Sequence, residues 1–220
     1  AWGNTSLQDF LDVLNDVSGR DMQTWSQAWL QTSGLSTLGT RRVYREDGKL
    51  QDLYLTQQLP DTQPAGIGRP HVVKLETFIL QEGKLVSTGT LSLEYPADPI
   101  AEYRVSLPQE HKKTVGEADL LMLNAEDHTY AKIMLTDEDG LQAAIAVVST
   151  LESSLSRGLI WGSLWESVRD ARLPVATFVD AVVRNVSRES SASLLGSMVS
   201  NSQNAITNFG APKSRQPLYD

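Results

Sequence analysis

The 220-residue chain carries a formal charge of −8, and its only adjacent basic pairs of note, Arg41-Arg42 and Lys112-Lys113, stand apart from one another. That argues against nucleic acid as a partner, because phosphate binding needs a clustered basic surface. With 40% hydrophobic and 21% charged residues and no cysteine, the chain can bury a core but has neither disulfides nor thiolate metal sites.

Leu7, Phe10, Leu11, Leu14 and Val17 recur at helical spacing and predict a first helix, with Thr5-x-x-Gln8 at capping-box spacing and Gly19 as its stop. Asp21 is a good N-cap for a second helix running to Gly34, with Met22, Trp25, Ala28 and Trp29 along one stripe. Two such short helices cannot fold alone, and no core able to receive two tryptophans is evident in the rest of the chain.

From Thr40 the apolar period changes to two. Arg42–Glu46 and Leu50–Gln58 flank Asp47-Gly48, and Val72–Leu80 and Lys84–Tyr95 flank Glu82-Gly83, so each set predicts a β-hairpin. Ile100–Leu107, Leu120–Leu123 and Tyr130–Leu135 bring the total to about seven short strands, the pattern of a small antiparallel sandwich. Asn124–His128 forms a polar corner between the last two.

Helical spacing then returns. Leu141, Ala144, Ile145 and Val148 form one stripe, and Leu155–Arg172 another with Trp161, Leu164, Trp165 and Val168. Gly158 and Gly162, one turn apart, allow a neighbouring helix to approach. Pro174 suits the first turn of a helix carrying Val175, Phe178, Val179, Val182, Val183 and Val186. Ser190 or Ser191 caps a last helix, and Gly210–Asp220 reads as a loose tail. The expected fold is α+β and multidomain: an antiparallel β-sandwich flanked by an N-terminal helical hairpin and a C-terminal helical segment of solenoid or bundle type. The divisions fall at 1–38, 39–136 and 137–220.

Chemistry is sparse. His71 begins a strand, His111 lies in a loop beside Lys112 and His128 sits in the polar corner; each is solitary, and no H-E-x-x-H, G-x-S-x-G or phosphate-binding glycine loop is present. Asp137-Glu138-Asp139 suits the first turn of a helix better than a cation, since the alternating ligands of a calcium loop are missing. Glu126-Asp127 and Lys132 read as surface pairs. No run of roughly 18 apolar residues spans a bilayer, so no membrane association is expected. Ala1–Ser6 lacks the basic and apolar features of a secretory leader, which fits a cytoplasmic protein.

Three stretches together resemble the aminopeptidase N family of zinc metallopeptidases, in its actinobacterial-type branch. Residues 1–38, with Gly19-Arg20-Asp21, Trp25, Trp29-Leu30 and Gly34, are similar to the helix pair closing that family's catalytic domain. LMLNAEDHTYAKIMLTD (121–137) is similar to the end of its sandwich domain, and LIWGSLWESVRDARL (159–173) to an early helix of its C-terminal domain. The resemblance implies a parent enzyme that removes N-terminal residues from peptides using zinc. The family's H-E-x-x-H, its downstream Glu and its G-x-M-E-N segment are not in this sequence, so no catalytic, metal or substrate-binding residue carries over. It implies a fragment whose partners are its own upstream catalytic domain and the parent's peptide substrates. Its part is to hold a helical cover and control access. A stand-alone protein-interaction module is the alternative.

Overall fold

The computed structural model describes residues 3–64, 66–96, 98, 100–135 and 138–219. Helix α1 (Leu7–Ser18) is capped by Ser6, whose hydroxyl accepts from the Asp9 amide while the Asp9 carboxylate accepts from the Ser6 amide. The capping box thus lies one residue beyond the predicted Thr5/Gln8 spacing. Gly19 ends the helix at φ 65°, a conformation that costs glycine little. Helix α2 (Met22–Trp29) opens on Asp21, whose carboxylate accepts from the amides of Gln23 and Thr24. It stops five residues short of Gly34.

The strands are β1 (Thr37–Tyr44), β2 (Leu50–Gln58), β3 (His71–Gln81), β4 (Lys84–Tyr95), β5 (Glu102–Val105), β6 (Leu120–Leu123) and β7 (Lys132–Ile133). They form two sheets, ordered β5-β2-β1-β7 and β4-β3-β6. Both predicted hairpin turns occur, with Gly48 at φ 76° and Glu82 and Gly83 at φ 51° and 75°. Three expectations are corrected. β1 begins near Thr37 rather than Arg42. β7 is two residues long and pairs in parallel with β1, because the preceding corner returns the chain alongside β1. The segment after Pro108, read as a loop, is helix α3 (Gln109–Gly116), so His111 lies on a helix. Gly116 permits that helix to lie on β2: a Cβ there would come within 2.8 Å of Leu50 Cβ.

Helices α4 (Glu138–Val147), α5 (Ser154–Arg169), α6 (Val175–Val186) and α7 (Ala192–Asn204) come next, and α7 runs on through a π-helical turn to Phe209. The expected loose tail contains a further short helix, α8 (Arg215–Tyr219). Residues 136 and 137 lie outside the described residues, as do the side chains of 138 and 139. The acidic triplet Asp137-Glu138-Asp139 is therefore not placed.

Two apolar cores result. The first lies between the sheets and gathers Leu38, Leu53 and Leu55 from one with Val73, Leu75, Leu121 and Leu123 from the other. The second is helical, built around Ile160, Trp161, Leu164, Phe178 and Met198, and it also takes in Phe78, Leu120 and Met122. All four residues of β6 are buried, because alternate side chains enter opposite cores. A continuous apolar tetrapeptide is what a strand walled on both faces requires.

Candidate functional site: the joints between helices and sheets

The first joint attaches the helix pair α1–α2 to the sheets. Its centre is Arg69, 2% exposed and without a carboxylate partner among the described residues. Its Nε donates to Ala28 O at 2.9 Å, its Nη1 to Gly34 O at 2.7 Å and its Nη2 to Thr32 Oγ1 at 2.6 Å. The carbonyl end of α2 supplies the negative potential that a buried cation needs. Burial lowers the guanidinium's pKa, yet a group this basic stays charged. The Arg69 carbonyl is held in turn by Gln57 Nε2 at 2.9 Å.

Trp29 lies under this guanidinium, 5.4 Å from ring centroid to Cζ, and meets the His71 ring edge-on at 5.0 Å. The tryptophan that lacked an evident core in the sequence is received by a cation and an imidazole. His71 continues to Tyr95 at 5.8 Å, and Tyr95 Oη donates to Gly39 O. Burial, helped by the neighbouring Arg69 charge, pushes the His71 pKa down to about 4. Its Nδ1 sits 2.8 Å from Thr129 Oγ1. Burial likewise raises the Tyr95 phenol.

The second joint attaches the sheets to the helical segment. After β6 the chain turns through Asn124, Glu126 and Asp127 at φ 61°, 66° and 57°. Asn124 makes this left-handed corner possible, since its Oδ1 accepts from the Thr129 amide and its Nδ2 donates to the Thr129 carbonyl. Glu126 pairs with Lys74 and His128, and both hydrogen bonds lower its pKa. Two residues past Tyr130, Lys132 Nζ reaches Glu166 on α5 at 3.2 Å and Asp170, the C-cap of that helix, at 3.0 Å. Burial opposes the lysine's charge, but the two carboxylates outweigh it and its pKa is raised. Glu126 thus forms surface pairs, whereas Lys132 brackets β7 to the end of α5. Beside it lies a cavity of about 220 Å3 lined by Leu35, Lys132, Gly162 and Trp165.

Within the helical segment Arg157 and Glu189 form a bidentate pair at 2.8 and 2.7 Å, their side chains 7% and 0% exposed. Arg157 also donates to the Leu151 and Glu152 carbonyls. Asn185 ties α6 to the Ile145 carbonyl and accepts from the Ser149 amide. Gly158, as expected, lets α7 approach: a Cβ there would lie 3.3 Å from Leu194 Cδ2. Gly162 faces open space instead. These polar ties are not legible in the sequence, because nothing in the spacing of Arg69, Arg157, Asn185 or Glu189 announces a partner far along the chain.

The three histidines stay apart, one buried at β3, one on α3 and one at the corner beside Glu126. Among the described residues no group of three His, Asp or Glu is arranged to hold a metal ion. No described helix is long and apolar enough to cross a membrane. A groove of about 760 Å3 between α1, α2 and the 68–70 segment is lined by Leu14, Met22, Trp25, Ala28 and Pro70. At its edge the Thr24 hydroxyl donates to the carboxylate of Asp21, the N-cap of α2, at 2.7 Å.

Residues 120–219 match the ERAP1-like C-terminal domain family, so the match opens on β6. The chain is 33% identical to aminopeptidase N of Streptomyces lividans over 99% of its own length and 25% of that protein's. It thus spans about a quarter of that relative. The crystal structure of Legionella pneumophila aminopeptidase A in complex with aspartic acid aligns with 99% of the chain and 26% of its own, at a TM-score of 0.44 and 13% identity. The chain is thus similar to the ERAP1-like C-terminal domain family over residues 120–219 and to an aminopeptidase N over nearly its whole length.

Proposed function

We propose that this chain is a non-catalytic portion of a zinc-dependent aminopeptidase that removes N-terminal residues from peptides in the cytoplasm. In this reading residues 1–38 close the catalytic domain, 39–136 form a β-sandwich and 137–220 begin a solenoid-like helical domain. The catalytic domain, its zinc and the peptide site lie elsewhere in the parent. The work of the chain is to hold the helical domain at a fixed angle, as a cover that controls access.

The observation that carries the reading is the double burial of β6. Leu121 and Leu123 belong to the core between the sheets, and Leu120 and Met122 to the helical core. One strand common to two cores cannot turn relative to either without opening both. Lys132 braces the same joint from the next strand through Glu166 and Asp170. A stand-alone interaction module has no evident use for such a rigid joint.

The reading frame upstream of Ala1 tests this. An in-frame H-E-x-x-H with a further Glu downstream is expected there. A start codon adjoining Ala1 would overturn the proposal.

A further inference from the structure

The helix pair belongs to neither core. Its buried apolar residues Leu11, Met22 and Ala28 lie outside both clusters. α1 and α2 are joined to each other, by the Met22 amide on Asn15 Oδ1 and by Gln23 on Gln8. Their attachment to the sheets runs through few residues. Arg69 donates to Ala28 O, Thr32 Oγ1, Ser33 O and Gly34 O at the end of α2 and just beyond it, Thr62 Oγ1 donates to Ser33 O, and Trp29 rests on His71. Gly34, at φ 84°, lies so close to Pro60 that a Cβ would come within 2.7 Å of the proline Cβ.

The polar chemistry of this contact is unevenly satisfied. Among the described residues Ser26 Oγ, Trp29 Nε1, Ser36 Oγ and His71 Nε2 are buried without a hydrogen-bond partner. All four lie on α2, the connection after it, or the strand it rests upon. Parting the surfaces would give each of them solvent, which lowers the cost of opening. An interface with no share in either core, closed by one cation and carrying unmet polar groups, has the marks of a low-stability cooperative unit.

We propose that Arg69 is a latch. It holds the helix pair against the sheets as a unit that opens separately, on the hinge at residues 31–36, while both cores stay folded. This goes beyond the proposed function and does not rest on it.

Amide hydrogen exchange on the 220-residue chain and its Arg69→Met variant tests the latch. The variant keeps the apolar stem and loses the charge and donors. Exchange in α2 is expected to rise by on the order of 100-fold, with β3, β6 and α5 keeping wild-type protection. Loss of protection in all elements together, unchanged protection in α2, or failure of the variant to fold would each overturn the proposal. A second measurement needs no variant. In wild-type chain at sub-denaturing urea, α2 amides should exchange through an opening with weaker urea dependence than those of β6 and α5. A single shared dependence would also overturn it.

Discussion

Replacing Glu189 with Gln is expected to destabilise the chain by about 3–5 kcal/mol, the cost of leaving a buried charge without its counter-ion. Glu189 is fully buried in its side chain and receives two of the Arg157 donors. Arg157 sits at the start of α5 and also gathers the Leu151 and Glu152 carbonyls, so its loss of partner is felt where α5, α6 and α7 meet. The hydrogen bonds from Arg157 hold the Glu189 pKa below its ordinary 4.5 against the opposing effect of burial. That stability is present above about pH 4.5 and is lost as pH falls further. Urea unfolding at constant slope measures the single change. Arg157→Met with Glu189→Leu should recover much of the loss, since an apolar pair removes both charges together. A Gln variant within about 1 kcal/mol of wild type would contradict the assigned geometry.

The second large effect is on pH. His71 is 3% exposed and neutral in the folded chain, with its pKa moved from 6.5 to about 4 by burial and by the Arg69 charge. The unfolded chain therefore takes up a proton that the folded chain resists between those values. Stability from this group is complete above pH 6.5 and falls as the pH drops toward 4, by roughly 3 kcal/mol in all. The direction is the same as for the paired carboxylates, but the window lies at higher pH. His71→Gln should flatten the fall between pH 6.5 and 4.5 and leave the steeper loss at lower pH. If wild type and variant follow parallel curves across that window, His71 is not held neutral.

Where the chain's local chemistry decides the outcome, the sequence is a good guide. Asp21, Gly19, Asp47-Gly48 and Glu82-Gly83 set their turns and caps through short-range geometry, and β2, β4, β6 and α6 fall where their periods place them. The elements that depart from expectation are those fixed by distant neighbours. α3 is too polar to show a helical stripe, and only Val115 of it is buried, beneath the approach of Gly116 to Leu50. β7 has two paired residues because its partner is β1, almost a hundred positions earlier. The apolar face of α1 promises burial, yet Phe10 and Val17 are 49% and 82% exposed and Leu11 alone is buried. The joints are the least legible of all. Arg69 reads as a loop residue, and its role emerges only when Ala28, Thr32 and Gly34 are brought around it. The resemblance to the aminopeptidase N family names the segments in order, but it does not say which residues fasten them.

Lys132 gives the most direct test of the central claim, that these joints set the angle of a helical cover over a catalytic site elsewhere. Lys132→Met in the full-length protein keeps the stem and releases Glu166 and Asp170. The measurement is kcat/KM for an oligopeptide and for a small aminoacyl anilide, compared as a ratio between variant and wild type. A several-fold change in that ratio, carried by the oligopeptide, is expected if entry of the longer substrate depends on the cover. An unchanged ratio in a folded variant that has lost the bracket would contradict the central claim.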